Sequence, residues 1–137
     1  MNLKSVQVCS EVGPVTMLVN NAGIAGDINP LWQQSGSSIE KVFRVNLLSH
    51  FWTLQACLPD MLARGRGHIV TNCSILGHVW ARNSATYTAS KHGVYAYLKC
   101  LQEDIRSDSR DAKINFTTAY PYFCKTNILA GMNIKPK

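Results

Sequence analysis

The segment NSATYTASKHG, residues 83–93, places a tyrosine and a lysine four residues apart, where loop residues give way to helix formers. On a helix, Tyr87 and Lys91 lie one turn apart and share a face. A free tyrosine has a pKa near ~10 and is a poor base at neutral pH, but a nearby ammonium favours the phenolate and lowers that pKa. The spacing therefore predicts a tyrosine that can exchange its proton with a substrate.

A third polar residue, Ser74, ends an apolar run thirteen residues before Tyr87. Its hydroxyl can hydrogen-bond the oxygen of an alcohol or a carbonyl and hold that oxygen beside the tyrosine. No side chain can carry the hydride of such a reaction, so the chemistry requires a nicotinamide cofactor. Together the three residues predict oxidation of an alcohol or reduction of a carbonyl.

Each of these residues also has a structural explanation. Roughly one tyrosine in fifteen has a lysine at this spacing by chance, and the chain has five tyrosines. Asn46, in the middle of a predicted helix, can be a tolerated polar residue on an exposed face. Ser74 can be an ordinary strand-end hydroxyl, and residues 20–23 can form a tight turn. Without a catalytic role, all of these residues would have to occur by chance in this one order and geometry. This favours the catalytic interpretation.

Apolar runs alternate with helix patterns and supply the elements that position these residues. Strands are predicted at residues 15–20, 68–74 and 112–120. Long helices are predicted over residues 37–65, opening with Ser37 and Glu40 in capping-box spacing, and over residues 85–107. The order β-α-β-α-β predicts parallel strands buried on both faces, with right-handed crossover helices covering the sheet. Ligands of such sheets bind at the carboxyl ends of the strands.

Composition excludes several other classes of protein. A chain of 137 residues that is 46% hydrophobic predicts one domain. No stretch approaches the ~20 apolar residues of a membrane span, so we expect a soluble, cytoplasmic chain. The five cysteines are widely spaced and predict reduced thiols and no metal site. The formal charge of +6 is scattered along the sequence, so no nucleic-acid partner is expected.

The motifs together resemble those of the short-chain dehydrogenase/reductase family. The matching elements are N-N-A-G after a strand at residues 20–23, the helix asparagine Asn46, Ser74, the Y-x-x-x-K pair of Tyr87 and Lys91, and P-x-x-x-x-T from Pro121 to Thr126. Residues 45–70 and 120–128 further resemble the branch that contains retinol dehydrogenases and 17β-hydroxysteroid dehydrogenases, which act on lipophilic alcohols. The resemblance implies a Rossmann-like three-layer α/β sandwich with a parallel sheet.

The resemblance also implies catalytic roles. Tyr87 would be the general acid/base, and Lys91 would lower its pKa and hold the nicotinamide ribose. Ser74 would orient the substrate oxygen. Asn46 would position a water that relays protons to Lys91.

A cofactor, NAD or NADP, is implied in the same way. Asn21, Ala22 and Gly23 would border its adenosine side, and Thr126 would face the nicotinamide carboxamide. The family's opening strand and its glycine-rich T-G-x-x-x-G-x-G turn, which seats the pyrophosphate on a helix N-terminus, have no counterpart here. We therefore expect residues 1–137 to be the central part of a single NAD(P)-binding domain, without the first three strands and the C-terminal end, and to be inactive on their own.

Two functional interpretations follow. In the first, the chain belongs to an NAD(P)-dependent oxidoreductase acting on a lipophilic, retinol- or steroid-like alcohol or the corresponding carbonyl. In the second, it is a truncated, non-catalytic remnant or an interaction module. The resemblance implies a possible homodimer through the two long helices, as in relatives that dimerise. It also implies that full-length relatives are often at endoplasmic reticulum or lipid droplet membranes, attached by an apolar segment outside this chain.

Overall fold

The computed structural model describes residue 11, residues 13–108 and residues 112–122. Thr126, the residue expected to face the nicotinamide carboxamide, lies outside the described residues. None of the helices within these ranges combines the length and the apolar character needed to cross a membrane.

Three strands form the sheet: β1 (Met17–Asn20), β2 (Arg66–Asn72) and β3 (Lys113–Ala119). They are parallel and lie side by side in the order β1-β2-β3. In the register of the first pair, Asn20 lies opposite Thr71, and in that of the second pair Thr71 lies opposite Thr118. The predicted parallel sheet is confirmed, with strand boundaries within about two residues of the predicted ones.

The helical segments are α1 (Gly36–Phe43), a π-helical turn (Arg44–Leu48), α2 (Ser49–Ala63) and α3 (Ala85–Ser107). The N-cap of α1 is Ser35, whose hydroxyl accepts a hydrogen bond from the Ser38 N–H at 3.2 Å. The predicted cap at Ser37 is therefore wrong. The Asp27 carboxylate accepts hydrogen bonds from both the backbone N–H and the hydroxyl of Ser35, at 2.9 and 3.0 Å, and this selects the earlier serine.

The π-helical turn interrupts the long helical segment at Asn46. The Ser49 N–H donates to the carbonyl of Arg44, five residues back. The Ser49 hydroxyl donates to the Val45 carbonyl at 2.7 Å. Asn46 is the buried residue of this turn. Single π turns within α-helices are frequent at functional sites.

Both helical connections cover the same face of the sheet, because right-handed crossovers between sequentially ordered parallel strands pass on one side. The core on this face contains Leu54 and Met61 of α2, Ile69 of β2, Val94 and Leu98 of α3, and Cys73. On the other face, Met17 and Val19 are 52% and 56% exposed. The predicted burial of β1 on both faces is therefore wrong for the described part of the chain. This part supplies the sheet and one helical layer of the implied sandwich.

Candidate active site

Ser74, Tyr87 and Lys91 meet at the carboxyl end of the sheet. Ser74 follows the end of β2 by two residues, and Tyr87 lies in the first turn of α3 with Lys91 in the second. The Ser74 side chain is close enough to the Tyr87 hydroxyl to lower the pKa of the phenol. The Lys91 Nζ lies 5.7 Å from the centroid of the Tyr87 ring. The structure thus brings together the three residues that the sequence selected.

Backbone hydrogen bonds hold the two neighbours of Ser74. The N–H of Cys73 donates to the Ala119 carbonyl at 2.9 Å, and the N–H of Ile75 donates to the Pro121 carbonyl at 3.0 Å. These bonds extend the pairing of β2 and β3 on both sides of Ser74. Its hydroxyl also accepts a hydrogen bond from the Leu76 N–H at 3.1 Å, which opens the 3₁₀ turn Ile75–Gly77.

Lys91 places a nearly buried ammonium group in this site. The residue is 3% exposed, and burial lowers its pKa below the ordinary value. Its Nζ donates to the Asn72 carbonyl at 3.2 Å, and within the described ranges this is the one hydrogen bond it makes. An ammonium has three donors, so the remaining donors fit a ligand with hydroxyl groups, such as the ribose of a nicotinamide dinucleotide.

Burial also controls the protonation of Tyr87. It raises the pKa of the phenol above the ordinary 10.0, and the Ser74 side chain opposes this effect without cancelling it. Desolvation is the largest influence on this pKa, and the expected lowering of the pKa by Lys91 stays a prediction. Tyr87 is therefore protonated at neutral pH and suited to donate a proton.

Asn46 is completely buried and binds the loop that follows β1. Its Oδ1 accepts from the Ile24 N–H at 2.8 Å, and its Nδ2 donates to the Ile24 carbonyl at 2.9 Å and to the Ser90 hydroxyl at 3.1 Å. The exposed-face explanation of this asparagine is therefore wrong. Asn46 links the post-β1 loop to α3.

The loop after β1 runs past the ammonium of Lys91. A Cβ added at Gly23 would lie 3.6 Å from the Lys91 Nζ and 3.7 Å from the Asn46 Oδ1. Asn21 accepts a hydrogen bond from the Asn72 side chain at 3.0 Å, through its Oδ1. Asn21 and Ala22 are exposed, so a ligand can reach this segment.

A buried polar cluster behind the site was missed at the level of sequence. The Nδ1 of His50, which is 1% exposed, lies 2.9 Å from the Tyr97 hydroxyl, and the Thr53 hydroxyl donates to the Asn20 Oδ1 at 2.8 Å. Burial lowers the pKa of His50 to about 4, with a smaller contribution from the charge of Lys91, and raises that of Tyr97 to about 12. The spacing of His50, four residues after Asn46, was the available signal that both lie on one buried face.

Comparison with known proteins gives matches over almost the whole chain. The family model described as short chain dehydrogenase matches residues 4–137. Short-chain dehydrogenase/reductase family 16C member 6 of Bos taurus is 39% identical over 129 residues, which are 94% of this chain and 40% of that protein. Human retinol dehydrogenase 10 is 37% identical over 133 residues, 97% of this chain and 38% of that protein. Estradiol 17-beta-dehydrogenase 11 of Macaca fascicularis is 34% identical over 123 residues, 90% of this chain and 40% of that protein.

Solved structures agree with these matches. A short chain dehydrogenase/reductase from Burkholderia phymatum in complex with NAD superposes with a TM-score of 0.84 at 27% identity, covering 97% of this chain and 47% of that one. A gluconate 5-dehydrogenase from Burkholderia cenocepacia, in complex with NADP and tartrate, gives a TM-score of 0.84 at 29% identity, covering 93% and 48%. The Rossmann-like parallel α/β fold is thereby confirmed. The chain spans about two-fifths of the length of its curated relatives, and it belongs to the short chain dehydrogenase family.

Proposed function

We propose that this chain carries the catalytic residues of an NAD(P)-dependent oxidoreductase that acts on the CH–OH group of a lipophilic alcohol or on the corresponding carbonyl. The observation that supports this most directly is the meeting of Ser74, Tyr87 and Lys91 at the carboxyl end of the sheet. A serine hydroxyl close to a phenol, with an ammonium near the same ring, is suited to hold an oxygen atom and move a proton to or from it.

In the proposed mechanism, the nicotinamide supplies the group that gives or takes the hydride when it is bound. Ser74 holds the substrate oxygen beside the nearby Tyr87 hydroxyl. In carbonyl reduction, the protonated phenol donates its proton to this oxygen. In alcohol oxidation the step runs in reverse: the phenolate form of Tyr87, which the neighbouring Lys91 ammonium would stabilise, accepts the proton of the alcohol and becomes the phenol.

For the cofactor, NAD or NADP, we propose the contacts that the family resemblance implies. Lys91, with donors to spare, holds the nicotinamide ribose close to Tyr87. The exposed Asn21 and Ala22, followed by Gly23, border the adenosine side. The proposed contact of Thr126 with the carboxamide concerns a residue outside the described ranges. Binding to NAD and NADP, measured separately by calorimetric titration, tests the assignment and the choice between the two.

The substrate class is proposed to be retinol- or steroid-like. Exposed apolar side chains on the loops beyond the carboxyl ends of the strands support this: Leu31 at 55%, Trp32 at 84%, Val79 at 43% and Trp80 at 83%. Covering such side chains with an apolar ligand is favourable. The names of the relatives, retinol dehydrogenase 10 and estradiol 17-beta-dehydrogenase 11, point to the same class.

The experiment that tests the reaction is Tyr87→Phe in the complete protein, which removes only the proton-transfer group. We expect kcat for retinol or estradiol oxidation to fall at least ~100-fold, while cofactor affinity changes less than about twofold. Lys91→Ala should lower both kcat and the affinity for the cofactor. Tyr95→Phe, a tyrosine two turns further along α3, is the matched control and should leave turnover near that of the wild type. Substantial turnover by Tyr87→Phe would show that Tyr87 is not the acid/base.

We also propose that a second copy of this chain packs on the groove between α2 and α3. The groove has a volume of about 330 Å³, and its apolar lining includes Phe51, Leu54, Leu58, Leu62, Tyr97 and Leu101. Phe51 is 41% exposed. Light scattering should give a dimer that Leu58→Asp dissociates, and a monomeric wild type would refute this.

The alternative of a non-catalytic interaction module has no support in the comparisons.

A further inference from the structure

His78 lies between two tyrosine rings that belong to different elements. Its ring centroid is 4.5 Å from that of Tyr95, at an interplanar angle of 65°, and 4.4 Å from that of Tyr120, at 49°. Tyr95 is part of α3, and Tyr120 directly follows β3. One imidazole ring therefore connects the helix to the end of the strand.

The ring is attached to the turn that begins at Ser74. The His78 N–H donates to the Ile75 carbonyl at 2.9 Å, and the Gly77 N–H donates to the Ser74 carbonyl at 2.9 Å. A Cβ added at Gly77 would lie 3.1 Å from the Lys91 carbonyl oxygen, which shows how closely this turn packs on α3. Because these bonds make residues 74–78 one unit, holding His78 also holds Ser74.

The same helix anchors both the ring and the proton-transfer residues. Tyr95 lies one turn after Lys91 and two turns after Tyr87 on α3. Residues spaced in this way share a helix face. Fixing His78 against Tyr95 therefore sets the distance between the Ser74 turn and the Tyr87 hydroxyl.

We propose that His78 is a positioning residue for Ser74: its ring, held between Tyr95 and Tyr120, clamps the turn of residues 74–78 so that the serine hydroxyl stays beside Tyr87. This inference rests on the proposed function, because it assigns Ser74 a task in catalysis. His78 acts only through the turn, and the mechanism gives it no contact with the reacting atoms.

Aromatic pairs in tilted and edge geometries stabilise a structure beyond the area that they bury. Without the clamp, the turn populates arrangements in which Ser74 has left Tyr87, and activity falls with the fraction of competent molecules. The backbone hydrogen bonds of the turn remain, so we expect His78→Ala to lower kcat by about three- to thirtyfold. Ser74→Ala should have a larger effect.

A matched pair of variants and a double mutant test this assignment. His78→Phe keeps a ring between the two tyrosines and should stay within about twofold of the wild-type kcat, with cofactor affinity unchanged in both variants. In a Ser74→Ala background, His78→Ala should have almost no further effect, because its influence passes through the serine. An equal loss of kcat in both backgrounds, or failure of His78→Phe to restore activity, overturns the proposal.

Hydrogen exchange of the Gly77 and His78 amides provides a measurement that does not depend on activity. Both amides donate within the turn, so His78→Ala should accelerate their exchange several-fold and His78→Phe should not. Unchanged exchange in His78→Ala overturns the clamp even if the enzyme is active. A wild-type protein without oxidoreductase activity overturns the proposed function instead, and the exchange rates then decide the clamp alone.

Discussion

Replacing Asn46 by leucine should reveal how much stability this buried amide contributes, apart from any role in proton relay. Leucine has a similar volume but no polar atom, so the change creates little cavity. The Asn46 amide makes its three hydrogen bonds with the backbone N–H and carbonyl of Ile24 and with the Ser90 hydroxyl. All three are lost in the variant, and Asn46 is 0% exposed.

The magnitude follows from which groups are left unpaired. The Ser90 hydroxyl still donates to the Tyr87 carbonyl at 2.7 Å, so its loss is small. The N–H and the carbonyl of Ile24 each lose a partner, and an unpaired buried polar group costs ~1–3 kcal/mol. Ile24 is only half-buried, so water can pair with part of it. We expect a loss of about 2–4 kcal/mol in the free energy of unfolding.

Urea denaturation, with the slope m unchanged, measures this loss as a lower midpoint. Ser90→Ala removes one partner of the amide and should cost ~1 kcal/mol in the wild-type background. In the Asn46→Leu background it should cost less, since the bond to Asn46 is already absent and only the bond to the Tyr87 carbonyl is lost. A loss below ~1 kcal/mol for Asn46→Leu, or additive losses in the double variant, would refute this account of Asn46.

Three further predictions concern pH, packing and substrate. The pKa of His50 in the folded chain, about 4, lies below the ordinary 6.5. The contribution of neutral His50 to stability is therefore complete above pH 6.5 and is lost as pH falls towards 4. Urea unfolding at pH 7.5 and pH 5 should show this pH dependence, and His50→Asn should reduce it. Gly77→Ala would place a Cβ 2.9 Å from the Cys73 Sγ and 3.1 Å from the Lys91 carbonyl oxygen. It should lower the free energy of unfolding, measured by heat or urea, by ~1–3 kcal/mol. The control Gly36→Ala, with nothing within 4 Å of the new Cβ, should be nearly neutral. Trp80 is 83% exposed on the loop between Ser74 and α3. Trp80→Ala should raise KM for retinol several-fold without raising it for a short alcohol, and equal effects on both substrates would contradict the proposed substrate class.

Local patterns in the sequence predicted most of the elements. The range predicted for the second long helix is the range of α3, Ala85–Ser107. Loop formers precede it, and one of them, Asn83, has a φ of 63° that ends any regular structure there. The start of α1 was predicted two residues late, because two serines compete for the cap and a carboxylate eight residues before Ser35 decides between them. Such a contact leaves no periodic signal.

In the candidate site too, some features are local in the sequence and others depend on contacts between distant residues. Ser74, Tyr87 and Lys91 could be selected because strand ends and one helix turn are local features of the sequence. The raised pKa of Tyr87 could not be predicted from the sequence, since it depends on how far three-dimensional packing removes the phenol from water. The pairing of His50 with Tyr97 joins residues 47 positions apart, and a sequence pattern carries no information on that contact.

The π-helical turn at Arg44–Leu48 makes this part of the site sensitive to the number of residues as well as to the identity of Asn46. The buried residues Val42, Asn46, His50 and Leu54 follow one another at steps of four, and in a pure α-helix each such step overshoots a full turn by about 40°. A turn closed by a bond to the fifth residue back holds more residues and removes part of this drift. Deleting one residue between Val42 and Asn46 would rotate the two flanking pieces by about 100° against each other. Among related chains, substitutions at the exposed Arg44 and Leu48 should therefore be common, and insertions or deletions in this turn should be rare.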